Sequence, residues 1–205
     1  MVKIDFLFDF GSPNAYLAHR MIPHIEKRTG ATFHYVPVLL GGVFKLTNNK
    51  APMIAFGGIK NKLEYEQLEM KRFISRHELN KFQFNPNFPV NTLTVMRAAI
   101  AAGQAGCLMP YVEAVFAAMW EAGRKMDDAD TIIGVLNSAG LNAQSLLAAA
   151  QTQSVKDALM KNTQDAVDRG AFGSPTIFVG DEMFFGKDRL RDVEDEIIRQ
   201  AGAVR

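Results

Sequence analysis

A hydroxyl group stands near the N-terminus of this chain, where a short apolar run gives way to a helix. The run Ile4–Phe8 predicts a buried strand over residues 3–9, and Ser12 and Pro13 follow it closely. Proline is favoured in the first turn of a helix, because its missing N–H would have no partner there. Ser12 therefore marks a helix N-terminus, where partial positive charge and an O–H donor favour an anion or a thiolate. The alternative is an ordinary N-cap, with the Ser12 oxygen turned inward to the helix amides.

The segment that contains Ser12 cannot form a disulfide of its own. Ser12 and Ala15 stand at the two positions where a Cys-x-x-Cys pair would carry sulfur, and the chain has a single cysteine, Cys107. We interpret Cys107 as a small buried hydrophobe. A chain without an intramolecular disulfide is typical of the reducing cytoplasm. The sequence thus indicates a cytoplasmic protein that holds the thiol of another molecule.

Composition excludes several classes of function. The chain has 205 residues, 48% of them hydrophobic and 22% charged, as in ordinary globular proteins. A formal net charge of +1 gives no reason to expect nucleic acid or an anionic membrane as a partner. We find neither a signal-peptide pattern nor an apolar stretch of about 18 residues that would span a bilayer. The four histidines are scattered, and none has a carboxylate or cysteine at metal-ligand spacing, so we expect no metal site.

The two ends of the chain predict one sheet. Ser12 opens a helix that ends at Gly30, and a second strand follows over residues 31–40, which implies a parallel pair with a right-handed crossover. The C-terminal part predicts a strand entered through Pro175, a turn at Gly180 and a returning strand. These elements are expected at residues 172–179, 180–181 and 182–185, and a helix is expected at 190–201.

The middle of the chain predicts helices only. They are expected over residues 60–79, 93–103, 110–123, 128–139, 143–151 and 152–169, with a proline-stiffened loop at 85–92. The simplest division places residues 1–42 and 152–205 in a discontinuous α/β domain. Residues 43–151 then form a helical insertion domain.

Three segments resemble the signatures of the 2-hydroxychromene-2-carboxylate isomerases. They are residues 8–13, 170–176 and 184–190, and the resemblance extends to residues 49–52 and 85–92. These isomerases are close to the kappa-class glutathione transferases in the DsbA-like branch of the thioredoxin superfamily. The resemblance implies an α/β, thioredoxin-like (DsbA-like) fold with an inserted all-helical domain, and a homodimer.

The resemblance also implies glutathione as cofactor and assigns residues to it. Ser12 would hold the thiolate, and the backbone of Ser174, before a cis Pro175, would pair with the cysteinyl amide. Asp188 would take the glutamyl amine. Lys187 occupies a position that is often small or polar in relatives, so we expect it to contact the ligand through its backbone.

Two further glutathione contacts are implied from the insertion, at Asn49 and Lys62. The spacing between them is longer than is usual in the family, and Lys60 competes with Lys62 for this role. Lysines on helices more often face solvent, so both assignments stay open.

The loop at residues 85–92 is our candidate for a wall over the second substrate, because its two prolines make it rigid. Phe88 would present an aromatic face, and Asn85, Asn87 and Asn91 could hydrogen-bond a carboxylate. The loop could equally be a structural connector.

The resemblance as a whole implies a glutathione-dependent cis–trans isomerase of a small aromatic carboxylate, acting through a Ser-stabilised thiolate. The alternatives are a kappa-like glutathione transferase and a redox-inactive DsbA-like binding module.

Overall fold

Both ends of the chain contribute strands to one four-stranded mixed sheet, as the sequence predicts. The computed structural model describes residues 2–203, and its strands are β1 (Ile4–Phe8), β2 (Phe33–Pro37), β3 (Thr176–Val179) and β4 (Glu182–Phe185). The strand order is β2-β1-β3-β4. β1 runs parallel to β2 and antiparallel to β3, and β3 and β4 form the predicted hairpin.

Central position in the sheet explains the apolar sequence of β1. All five of its residues are buried, Asp5 included. Burial alone would raise the pKa of the Asp5 carboxyl, but hydrogen bonds to Arg169 and His34, with Lys3 nearby, lower it. Arg169 Nη1 lies 2.8 Å from the Asp5 carboxylate, so the buried charge is compensated from the loop that leads to β3.

In the described part of the chain, ten helices connect and cover the strands. They are α1 (Pro13–Thr29), α2 (Leu40–Thr47), α3 (Pro52–Phe56), α4 (Lys62–Arg76), α5 (Leu93–Gln104), α6 (Leu108–Trp120), α7 (Ala129–Ser138), α8 (Ala143–Ala149), α9 (Gln153–Asp168) and α10 (Leu190–Ala203), with a single 3₁₀ turn at Lys187–Arg189. Within residues 2–203, none of these helices is long and apolar enough to cross a lipid bilayer.

The sequence predicts neither α2 nor α3. Gly41 and Gly42 lower the helix propensity of α2, and residues up to Leu40 look like a continuation of β2. Tertiary contacts nevertheless stabilise a helix at these residues, because α2 packs on α9 and the Leu39 N–H donates to the Thr163 hydroxyl at 3.0 Å. A Cβ at Gly42 would lie 3.1 Å from the Thr163 side chain, so glycine permits this close approach.

One hydrophobic core continues from the sheet into the inserted helices. It joins residues such as Phe6 and Phe8 in β1 to Val95 in α5 and Phe116 in α6. Trp120 is fully buried, and its indole N–H donates to the Phe10 carbonyl at 2.8 Å. The helical insertion is therefore bonded to the turn that carries Ser12. The division into two domains stays a prediction.

A polar cluster fastens α1 to α6. The buried His19 ring contacts the Tyr35 hydroxyl at 2.8 Å and the Glu113 carboxylate at 3.0 Å, and Arg20 also pairs with Glu113. The hydrogen bond from His19 holds the pKa of Glu113 down to about 2, with Arg20 assisting against the opposing effect of burial. The cluster fixes the helix whose N-terminus carries Ser12.

Glu113→Gln should make the protein less stable at pH 7 and flatten its acid sensitivity. Because the folded pKa of Glu113 is depressed, its stabilising contribution exists above the unfolded pKa near 4.5. That contribution is lost as pH falls towards about 2. Urea midpoints from pH 7 to pH 3 should converge for wild type and variant. Half of the side chain is exposed, so solvent screening keeps the effect small. Glu182→Gln, on exposed β4, is the control, and parallel curves for wild type and Glu113→Gln would contradict the prediction.

Candidate functional site

Ser12 joins the two ends of the chain at the N-terminus of α1. It is the N-cap of α1, and its Oγ accepts a hydrogen bond from the Ala15 N–H at 3.2 Å. The same hydroxyl donates to the Ser174 carbonyl at 2.8 Å, across 162 residues of sequence. Ser12 therefore caps α1 and also donates a buried hydrogen bond. The predicted alternative, an N-cap, describes one part of what Ser12 does. To hydrogen-bond a ligand, the O–H must turn away from Ser174.

The segment around Pro175 lies beside Ser12, as the sequence predicts. The Ser174–Pro175 peptide bond is cis, and the Ser174 hydroxyl accepts from the Asp9 N–H at 3.1 Å. Within residues 2–203, the Ser174 N–H has no hydrogen-bond partner. An extended ligand with a carbonyl group could therefore pair with it.

Asp9 is a buried carboxylate that the sequence does not single out. Its two oxygens accept from the Gly11 and Leu40 N–H groups, each at 2.8 Å, so they tie the Ser12 turn to the start of α2. Burial raises the pKa of the Asp9 carboxyl against the lowering effect of these bonds and of Thr92. An aspartate inside an apolar run is the signal that could have revealed it, since fully buried carboxylates are rare.

Asn14 is a second residue that the sequence does not reveal. It lies two residues after Ser12, and its side-chain oxygen is buried with no hydrogen-bond partner among residues 2–203. Buried polar atoms without a partner are uncommon in folded proteins. Asn14 Oδ1 is therefore an unsatisfied acceptor in the first turn of α1, covered by the protein.

Lys187 and Asp188 form an ion pair next to this turn. The Gly186 N–H donates to the Pro175 carbonyl at 2.9 Å, which places the pair beside Pro175. The Lys187 ammonium lies 2.7 and 2.8 Å from the two Asp188 oxygens, and 5.1 Å from the centre of the Phe73 ring. Lys187 is buried whereas Asp188 is exposed. The Lys187 side chain thus pairs with Asp188, and its predicted backbone contact with a ligand stays a prediction.

Asn49 braces the segment that precedes Ser174. Its amide N–H donates to the Phe172 carbonyl at 2.9 Å, and its oxygen accepts from the Lys50 N–H at 2.8 Å. The side chain is exposed, so this arrangement can open to a ligand.

The two candidate lysines of the insertion differ in their surroundings. The Lys62 ammonium pairs with Glu66 and lies 5.1 Å from the centre of the Phe56 ring, whereas Lys60 is exposed. Neither observation assigns a ligand to one of them, and the choice stays open.

Asn85 has a structural role in place of the predicted substrate contact. It is 1% exposed, and its two amide hydrogens go to the carbonyls of Met119 at 3.0 Å and Arg124 at 2.8 Å. Its oxygen accepts from the Asn87 N–H at 2.8 Å. No donor remains for a substrate carboxylate, so we give Asn85 no ligand role.

The rest of the loop at residues 85–92 leaves the substrate prediction open. Phe88 is half-buried, with its ring centre 5.2 Å from Phe84 and 6.1 Å from Trp120. Asn91 is exposed, and its oxygen accepts from the Leu93 N–H at 3.0 Å. Asn91 therefore supports the start of α5, where the Thr92 side chain makes no capping bond.

The fold and this site define the class of protein. The family described as DSBA-like thioredoxin domain matches residues 3–198. The chain belongs to this family. Its residues Ser12 and Ala15 carry no sulfur.

Two relatives and one solved structure are similar to nearly the whole chain. The chain is 27% identical over 195 residues to a 2-hydroxychromene-2-carboxylate isomerase of Sphingobium xenophagum, covering 95% of this chain and 97% of the relative. It is 25% identical to glutathione S-transferase kappa 1 of Caenorhabditis elegans, covering 94% and 89%. A solved structure of a 2-hydroxychromene-2-carboxylate isomerase superimposes with a TM-score of 0.83 at 27% identity, covering 98% of both chains. The resemblance inferred from the three sequence segments is confirmed.

Ser12→Ala should destabilise the fold more than loss of a simple cap does. It removes the capping bond, worth about 1 kcal/mol, and leaves the buried Ser174 carbonyl unsatisfied, at about 1–3 kcal/mol. Asn142→Ala is the matched control, because Asn142 caps α8 through one bond to the Ser145 N–H. Urea denaturation followed by circular dichroism measures both. Equal losses would mean that the bond to Ser174 contributes nothing.

Proposed function

We propose that this protein is a glutathione-dependent isomerase of 2-hydroxychromene-2-carboxylate or a related small aromatic carboxylate. The observation that supports the proposal most is the 2.8 Å contact between the Ser12 hydroxyl and the Ser174 carbonyl at the N-terminus of α1. It puts an O–H donor, a helix N-terminus and a free backbone N–H at one place, in a chain similar to such isomerases over nearly its whole length.

The residues present fit a peptide thiol. The Ser174 N–H offers an extended peptide the donor that a backbone carbonyl needs. The Lys187–Asp188 pair offers one positive and one negative group, which complement the carboxylate and ammonium of a glutamyl end. Asn49 and one of the two lysines, Lys60 or Lys62, would complete the contacts from the insertion. Ser12 has no sulfur of its own, so the nucleophile must come from the ligand.

When bound, glutathione supplies the thiolate nucleophile for the isomerisation. The task of Ser12 is to hold the negative charge of that sulfur, because its O–H is rotatable and α1 adds partial positive charge. A rotation from Ser174 to the sulfur keeps the bond that the Ser12 oxygen accepts from Ala15. We propose Phe88 and Asn91 as the substrate wall.

A kappa-like transferase is the second candidate, favoured by the Caenorhabditis elegans relative. An isomerase regenerates its cofactor, whereas a transferase consumes one glutathione per turnover. Counting free thiol during the reaction distinguishes the two. A redox-inactive binding module is the third candidate and predicts no selective binding of glutathione. The cytoplasmic location and the homodimer remain parts of the proposal, and light scattering in solution measures the oligomeric state.

Turnover of 2-hydroxychromene-2-carboxylate should require both glutathione and the Ser12 hydroxyl. A hydrogen bond to a charged group is worth about 1.5–3 kcal/mol, so Ser12→Ala should lower the rate by roughly one to two decades. Glutathione affinity near pH 7 should change little, because the glycyl and glutamyl contacts remain. Absorbance of the substrate follows the reaction, with Ser145→Ala, an exposed serine, as control. Turnover without glutathione, or a fully active Ser12→Ala, would overturn the proposal.

A further inference from the structure

A charged pocket of about 420 Å³ lies between α1, α4 and the start of α10. Its size is that of small-molecule sites. Lys187 and Asp188 form one side of it, and the other charged or titratable groups in its wall are Arg28, Glu69, Arg76, His77, Arg191 and Glu194. The pocket therefore adjoins the proposed glutathione site but extends away from Ser12 along α1. Met21, the nearest lining residue of α1, lies about 13 Å from Ser12 at 1.5 Å per residue.

Every carboxylate in this wall has a cationic partner. The pairs are Arg28 with Glu194, at 2.6 and 2.8 Å, Lys187 with Asp188, and Glu69 with Arg72, which is not part of the wall. Two exposed guanidinium groups remain, those of Arg76 and Arg191, and neither has a carboxylate partner within residues 2–203. The wall thus carries an excess of positive charge.

The imidazole of His77 responds to this charge. Burial is the largest cause that lowers the pKa of His77, and the positive charges of Arg76, His24 and Arg28 lower it further. An added cation is therefore disfavoured here, whereas an anion would be stabilised by the same groups.

The glutamyl end of glutathione does not account for the two guanidinium groups. That end carries one carboxylate and one ammonium, and the Lys187–Asp188 pair complements both. A neutral zwitterion leaves the positive charge of Arg76 and Arg191 uncompensated. A planar guanidinium presents a fork of donors that matches phosphate oxygens, and two such groups match a dianion.

We propose that the pocket beyond Lys187 is a separate site for a phosphate-class dianion, held by Arg76 and Arg191. The ligand is inorganic phosphate or a phosphate monoester, and it binds beside glutathione without replacing it. The site goes beyond the proposed isomerase function and can exist whether or not that function is correct.

Calorimetry with inorganic phosphate, in a phosphate-free zwitterionic buffer, tests the site without any assay of activity. Wild type should bind phosphate saturably at one site, and the double variant Arg76→Gln/Arg191→Gln should bind it at least about tenfold more weakly. Each single variant should give an intermediate loss. Arg199→Gln is the matched control, since Arg199 lies on the same helix and pairs with Glu196 outside the pocket. Circular dichroism verifies that each variant is folded.

Glycerol 3-phosphate as a second titrant distinguishes the two ligand sources. Tighter binding than inorganic phosphate assigns the site to a monoester, and equal or weaker binding assigns it to the free anion. Absence of saturable phosphate binding, or equal binding by the double variant, would overturn the proposal. Displacement of phosphate by glutathione, one molecule for one, would also overturn it, because the pocket would then belong to the glutathione site. Loss of glutathione-dependent turnover alone leaves the phosphate titration unaffected, so the two proposals fail separately.

Discussion

The hydrogen bond from the Ser12 hydroxyl to the Ser174 carbonyl is the interaction on which the site depends. It connects the first helix to the segment before β3, and both its atoms are buried. The same serine caps α1, so one side chain both starts the helix and joins the two ends of the chain. The fold thus holds this geometry at the turn with a serine at position 12 and an alanine at position 15, neither of which carries sulfur.

A layer of buried polar groups supports this bond. Asp9 ties the turn to the start of α2, and the Trp120 indole bonds to the Phe10 carbonyl of the turn from α6. These contacts hold the backbone of the turn in place. The turn therefore does not rely on Ser12 alone when the Ser12 O–H rotates from the Ser174 carbonyl towards a ligand.

Local signals in the sequence predict the parts of the site that depend on local structure. Ser12, Pro13 and Gly30 mark the bounds of α1, and the segment around Pro175 marks the entry to the C-terminal hairpin. Partners distant in sequence decide the rest. The sequence suggests that Asn85 binds a ligand. In the structure, both of its amide hydrogens bond to carbonyl groups 34 and 39 residues away, which the sequence does not reveal. The burial of Lys187 likewise depends on a distant residue, because its ammonium lies 5.1 Å from the centre of the Phe73 ring of α4.

The central claim is that Ser12 stabilises a thiolate that belongs to a bound ligand. The most direct measurement is the ultraviolet absorbance of the thiolate in the complex with glutathione, titrated from pH 5 to pH 10 for wild type and Ser12→Ala. A free thiol titrates near pH 8.5. We expect the wild-type complex to titrate well below this value, and Ser12→Ala to titrate about one to two pH units higher than wild type. Coincident titrations would show that Ser12 only caps α1 and that the thiolate, if it forms, is held by another group.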